Sequence, residues 1–180
     1  MQTWMTENLE AIRYNNGDSI SFISDNATWS TLTTGAFCYY ENSQENNVIY
    51  GIIYNWYAIA DPRNLCPMGW HVPGEAEWKA LGEFLGGTPV AGGKMKESGT
   101  VHWPGPNNEA TNESGFTALP GGMRDNNGSF FDSPYLGRWW SIDDDNSTEA
   151  WSRFLSFSDN ELNSGRPNKA AGYSVRCIKN

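Results

Sequence analysis

Residues Leu65 to Leu85 read LCPMGWHVPGEAEWKALGEFL, and this stretch decides the fold. Cys66 comes first, then Trp70 and His71, then a helix over about 74–85 with Pro73 at its start. Glu75 and Glu77 fall in the first turn, where the helix dipole favours acids. Trp78, Leu81 and Leu85 recur at helical spacing and form a stripe to be buried. Gly86-Gly87 end the helix. The terminus GYSVRCIKN (172–180) answers this stretch with a second cysteine, Cys177, on what reads as the last strand.

Upstream, Ile52, Ile53, Trp56, Ile59 and Ala60 have helical spacing, so a helix is predicted over 52–60, stopped by Asp61-Pro62. Residues 1–50 read as strands and loops, the best strands being 2–9 and 35–40. Downstream, 88–127 is rich in Gly, Pro and Asn and reads as ordered loop with short strands. Strand-like runs follow at 129–131, 138–142, 150–157 and 172–178. In the third, Trp151, Arg153, Leu155 and Phe157 alternate with Ser152 and Ser156. No internal repeat or linker interrupts 1–180, and the length fits one domain. The element order predicts an α+β class.

The composition agrees. The 180 residues include nine Trp, eight Tyr, eight Phe, 19 Gly and 19 Asn. Such a chain forms turns and short strands around an aromatic core rather than a helical bundle. The net charge of −9 and the lack of a Lys/Arg stripe exclude nucleic acid as the expected partner. No run approaches the 18 apolar residues a membrane-spanning helix needs. No segment reads as a signal peptide. MQTWMTENL already reads as folded structure, and Met1 is taken as a start placed after a removed leader.

Three cysteines, Cys38, Cys66 and Cys177, are present with only His71 and His102 to assist. Their spacings match no zinc motif. Two readings stay open at this point: one disulfide with one free thiol, or three buried thiols.

The segments QTWMTENL (2–9), TGAFCYY (34–40), YGIIYNWYA (50–58), LCPMGWHVPGEAEWKAL (65–81), TNESGFTALPGG (111–122), RWWS (138–141) and GYSVRC (172–177) resemble the Fibrobacter succinogenes major paralogous domain (FISUMP) over nearly the whole chain. That family is similar to the C-type lectin-like superfamily, on the branch of the formylglycine-generating sulfatase-modifying enzymes; VPGEAEW and GYSVR stand where those have LPTEAEWE and GFRV. The resemblance implies a C-type lectin-like fold, with two helices flanking a small twisted antiparallel sheet and long ordered loops. It implies an extracellular or outer-surface bacterial protein, and binding more readily than catalysis. It also implies a Cys66–Cys177 disulfide. The alternative keeps both as small buried hydrophobes.

Catalytic routes lack their parts. The related oxidases use two late cysteines, and only Cys177 lies in the last third. The related iron enzymes use three histidines, and this chain has two. No Ser-His-Asp arrangement, phosphate-binding glycine loop or HExxH is present. Glu109 and Glu113 could serve a hydrolase only if they converge. For Ca²⁺, the one candidate cofactor, the oxygen-rich residues are Asp143, Asp144, Asp145 and Glu149, together with Asn112 by resemblance to a calcium-site loop. A solvated turn joining RWWSI (138–142) to AWSRFLSF (150–157) is the favoured reading of the acidic run.

Adjacent strand residues face opposite ways, so one of Trp139 and Trp140 should enter the core and the other can be exposed. With Arg138, Asp159, Asn160 and Arg166 it would form a ligand face for a glycan or protein. Both indoles packed, one against each layer, is the alternative. The expected function is a non-catalytic binding module, with a structural or adhesive domain of a larger surface protein as the second hypothesis and a metal-assisted enzyme as the third.

Overall fold

The stretch 65–85 folds much as its pattern requires. In the computed structural model, which describes residues 1–180, the five helices are α1 Asn26–Ser30, α2 Gln44–Tyr50, α3 Trp56–Ile59, α4 Glu75–Phe84 and α5 Thr88–Met95. The strands are β1 Ser21–Phe22, β2 Ala36–Cys38, β3 Ile53–Asn55, β4 Trp70–His71, β5 Met123–Arg124, β6 Phe130–Phe131, β7 Leu136–Asp144, β8 Ala150–Ser156, β9 Asn163–Gly165, β10 Gly172–Tyr173 and β11 Ile178–Lys179. The class is mixed α+β. No helix is long and apolar enough to cross a membrane.

Three sheets organise the chain. The largest runs β1-β2-β3-β10-β5-β6, a pair joins β11 to β4, and the third runs β7-β8-β9. The pair β4–β11 sets Ile178 opposite His71. This brings the two ends of the decisive pattern together, and Cys66 and Cys177 form a disulfide.

Strand β7 divides the interior. Trp140 points into a cluster with Tyr54, Val72, Tyr173 and Val175. Trp139 points the other way, into one with Trp78, Leu81, Trp103, Phe116 and Leu155. A smaller cluster surrounds Trp29. In α4 the stripe Trp78 and Leu81, with Leu85 just beyond its end, is buried as its spacing requires.

Several expected elements differ. The predicted helix over 52–60 is half strand: Ile53–Asn55 is the buried β3, and only Trp56–Ile59 is helical. The switch occurs at Asn55, whose Oδ1 accepts from the Ala58 and Ala36 amides. A short apolar run carries no periodicity that separates strand from helix, and the sheet partner decides. Residues 2–9 form no strand. They run beside the C-terminus with isolated bonds, such as Met5 N to Cys177 O and Leu9 N to Val175 O. Helices α1 and α2 lie where strands and loops were expected. The predicted strand 172–178 is two, β10 and β11, in different sheets.

Helix α5 was hidden by Gly92 and Gly93. A Cβ on Gly92 would lie 2.3 Å from Glu161 O, and one on Gly93 2.6 Å from Glu109 O. These glycines are required by the close approach of two loops, not by a break in the helix.

Candidate functional site

A face of mixed polar and aromatic character lies where the turn 145–149, between the end of β7 and the start of β8, meets the segment 166–169. Trp139 and Trp140, expected to offer one exposed indole, are both buried, at 1 % and 0 % exposure. Trp139 Nε1 donates to Asn8 Oδ1 at 2.8 Å. Trp140 Nε1 donates to Tyr54 O at 2.8 Å, and its ring stacks on Tyr173 at 4.6 Å. Because β7 has a core cluster on each face, alternation buries both.

Arg138 is held by Asp132 at 2.6 Å and lies over the Phe154 ring. Asp159 Oδ1 accepts from the Glu161 amide, and its main-chain oxygen accepts from Lys96 Nζ at 2.6 Å. Asn160 O accepts from the Gly93 amide. These residues hold loops in place. Of the six residues expected at the ligand face, Arg166 has the most exposed charged group, 55 % of its side chain.

The side chains of the acidic run each meet a different partner, and no three His, Cys, Asp or Glu side chains of the chain gather into one cluster. Asp143 Oδ2 accepts from the Glu75 amide at 2.6 Å and so caps α4. Gly74 has no side-chain oxygen to do this, and a Cβ there would stand 2.9 Å from Asp143 Oδ2. Asp144 pairs with Lys169 at 3.1 Å, and Asp145 with Arg166 at 3.7 Å. Glu149 accepts from Asn146 Nδ2. Asn112 lies in another loop, where its amide bonds the Thr117 amide and hydroxyl. Successive carboxylates on an extended strand leave in different directions, and each meets a different partner.

These pairings build two cation–aromatic units beside the turn. The Arg166 guanidinium lies 4.4 Å over the Trp151 ring, and the Lys169 ammonium 4.3 Å over Trp56. Trp151 is half-buried on β8. The sequence reading placed Trp151 on the alternating face but not in the site. Sequence shows this only in part, because its partner Arg166 stands just past β9, beyond the 157–162 loop.

Other titratable groups serve the framework. Glu75 bonds Arg153 at 2.6 Å, and burial raises its pKa against the pull of that arginine. Glu77 accepts from the Gly74 amide and contacts His71 Nε2 at 2.7 Å. Glu113 pairs with Lys94. The Cys38 thiol is buried, and desolvation pushes its pKa up to about 12. Burial thus disfavours the thiolate, the nucleophilic form, at neutral pH.

An apolar cavity lies elsewhere. A groove of about 540 Å³ runs between Trp4, Met5 and Phe116 and the residues Leu81 and Phe84 of α4 with Leu85 at its C-cap. Phe84 is 77 % exposed at its edge.

No curated protein and no solved structure matches the chain. The family model described as the Fibrobacter succinogenes major domain matches residues 1–179. The buried core, the disulfide and the clamps on its loops all fall within that span, and the chain belongs to the Fibrobacter succinogenes major domain family.

Proposed function

We propose that this chain is a non-catalytic binding module of the bacterial cell exterior, with a C-type lectin-like fold, that recognises a glycan or protein ligand through its C-terminal loops. The observation that carries this reading is the half-buried Trp151 with Arg166 stacked on it, at the end of a long antiparallel pair. An aromatic ring with a charged hydrogen-bonding fork beside it suits both sugar stacking and protein contact. The disulfide favours an oxidising compartment. Cys177 bonded to Cys66 and a buried Cys38 support binding over thiol chemistry.

A structural or adhesive role within a larger surface protein is the second reading, favoured by the apolar groove at Phe84. Binding to a glycan array and to a bacterial envelope protein fraction tests the first. Trp151→Ala and Arg166→Ala should each weaken a saturable interaction by about tenfold or more without loss of folding, in EDTA as in calcium. Interaction untouched by both variants, or none at all, would sink it.

A further inference from the structure

One wall of the apolar groove beside Phe84 includes Gln2, Trp4 and Thr6, and the main chain there is an open strand edge. Trp4 makes an antiparallel bridge with Ile178. The bonds on either side of it run from Lys179 N to Thr3 O at 2.9 Å and from Met5 N to Cys177 O at 3.1 Å. A residue between two such bonds turns its own N–H and C=O away from the partner strand. Neither main-chain group of Trp4 has a hydrogen-bond partner within the chain. Main-chain groups shut away from water are nearly always paired, so this edge faces water or another chain. Trp4 is half-buried, and Thr3 and Thr6 beside it are exposed.

Proteins ordinarily blunt an exposed edge with charged side chains or proline. The segment MQTWMT (1–6) carries neither. A second concavity, of about 470 Å³, follows residues 4–10 and Trp70 and shares Trp4, Met5 and Thr6 with the groove. Its two carboxylates, Glu7 and Glu10, are exposed and form no ion pair with any cation of the chain. One short segment thus joins an apolar trough, an unpaired main-chain donor and acceptor, and two unmatched negative charges.

These features select an occupant. An extended chain laid along the edge supplies the main-chain acceptor and donor that Trp4 lacks, as in strand addition. Its apolar side chains fit the trough, where Phe84 is 77 % exposed. Lys or Arg a few residues along would meet Glu7 and Glu10, and complementary charge of this kind sets both partner choice and register. A second copy fits poorly. It would bring the same two carboxylates against themselves, and each copy carries a net charge of −9.

We propose that residues 2–10 dock an extended, apolar-and-basic peptide of a partner protein by strand addition, with main-chain bonds to Trp4, apolar side chains in the groove beside Phe84, and Lys or Arg at Glu7 and Glu10. The site uses none of the residues of the Trp151–Arg166 face and does not depend on it.

The test is amide-resolved NMR with two capped synthetic peptides. Each has a valine–phenylalanine–valine core, with two lysines before it in one and after it in the other. Each is titrated to roughly 1 mM, which covers affinities on the order of 100 μM. Saturable shifts are expected at Gln2, Trp4 and Thr6 with at least one peptide. The Trp4 amide should exchange more slowly once bound, because it gains a hydrogen bond. Methylating the peptide nitrogens around the phenylalanine should weaken binding by about fivefold or more, the effect of one neutral hydrogen bond. Glutamates in place of the lysines should weaken it similarly, and Glu7→Gln/Glu10→Gln should remove that preference. Phe84→Ala, at an exposed position, should cost about fivefold or more in affinity without loss of folding. Trp151→Ala should leave binding intact, which separates failure here from failure of the C-terminal face. No saturable shift with either lysine peptide, methylated or glutamate peptides that bind as tightly, or binding lost in Trp151→Ala but kept in Phe84→Ala would overturn the proposal. So would a dimer in sedimentation that Phe84→Ala dissolves, since the groove would then belong to a second copy.

Discussion

Cations do the framework's work in this chain at the scale of single residues. Arg124, Arg176, Lys96 and Lys169 are all buried. Arg124 donates to Gly128 O, Ser24 O and Asn26 Oδ1, and lies 4.4 Å over Trp29. Arg176 donates to Asn8 Oδ1 and to the Met5 and Phe116 carbonyls. Burial lowers the Arg176 pKa, but acceptors on every side and the guanidinium's intrinsic basicity keep it charged. The cause lies in the composition. Gly- and Asn-rich loops leave carbonyls without ladder partners, and a buried carbonyl must be paired. His71 is a smaller clamp of the same kind. Burial works against its proton, while Asn180 Oδ1 and Glu77 Oε1, each 2.7 Å away, favour it and raise its pKa overall. The stabilisation is therefore full below the unfolded value of about 6.5 and fades as pH rises through the higher folded one. His71→Gln should remove a pH dependence of the melting temperature above about pH 6.5. Solvent screening keeps that dependence under about 1 kcal/mol. Identical pH profiles for parent and variant would contradict it.

Among the elements, α5 shows how a local rule is overruled. Two glycines in eight residues weaken a helix by about 0.5–1 kcal/mol each relative to alanine. Propensity alone says Gly92→Ala should stabilise. The approach of Glu161 O to within 2.3 Å of the added carbon reverses the sign, because overpacking costs about 1–3 kcal/mol and the obstruction is backbone. Gly92→Ala should lower stability by about 1–2 kcal/mol in chemical denaturation, and a more stable variant would show that the 159–161 loop moves freely. The same tension explains β3. Its residues share helical spacing with α3, yet pairing with β2 and β10 claims Ile53–Asn55 for the sheet.

For the whole molecule, the Cys66–Cys177 disulfide joins residues 111 apart. In the chain-entropy model a loop of that length stabilises by about 4–5 kcal/mol. The Cys66→Ala/Cys177→Ala double variant should melt about 10–15 °C lower, taking about 2–4 °C per kcal/mol for a chain of this size. Calorimetry of parent and variant checks it. An unchanged midpoint would mean that the β4–β11 pairing alone holds the terminus. Both cysteines are buried, so the native bond should also resist mild reductant. The net charge of −9 acts at this scale too, favouring solubility and disfavouring anionic partners.

The sequence by itself determined the α+β class, helix α4 with its buried stripe, the β7–β8 pair and the family. Each rests on local pattern: a 3.6-residue period, a two-residue period, or long ordered motifs. The disulfide was legible only through the resemblance, since three cysteines admit other states. Tertiary structure alone decided the rest. Trp139 and Trp140 are both buried because β7 carries a core on each face, which alternation cannot reveal. Asp143, Asp144 and Asp145 were legible as an oxygen-rich run. Their partners, the α4 amide, Lys169 and Arg166, come from distant chain, so the cap and the two ion pairs they form could not be read from the run itself.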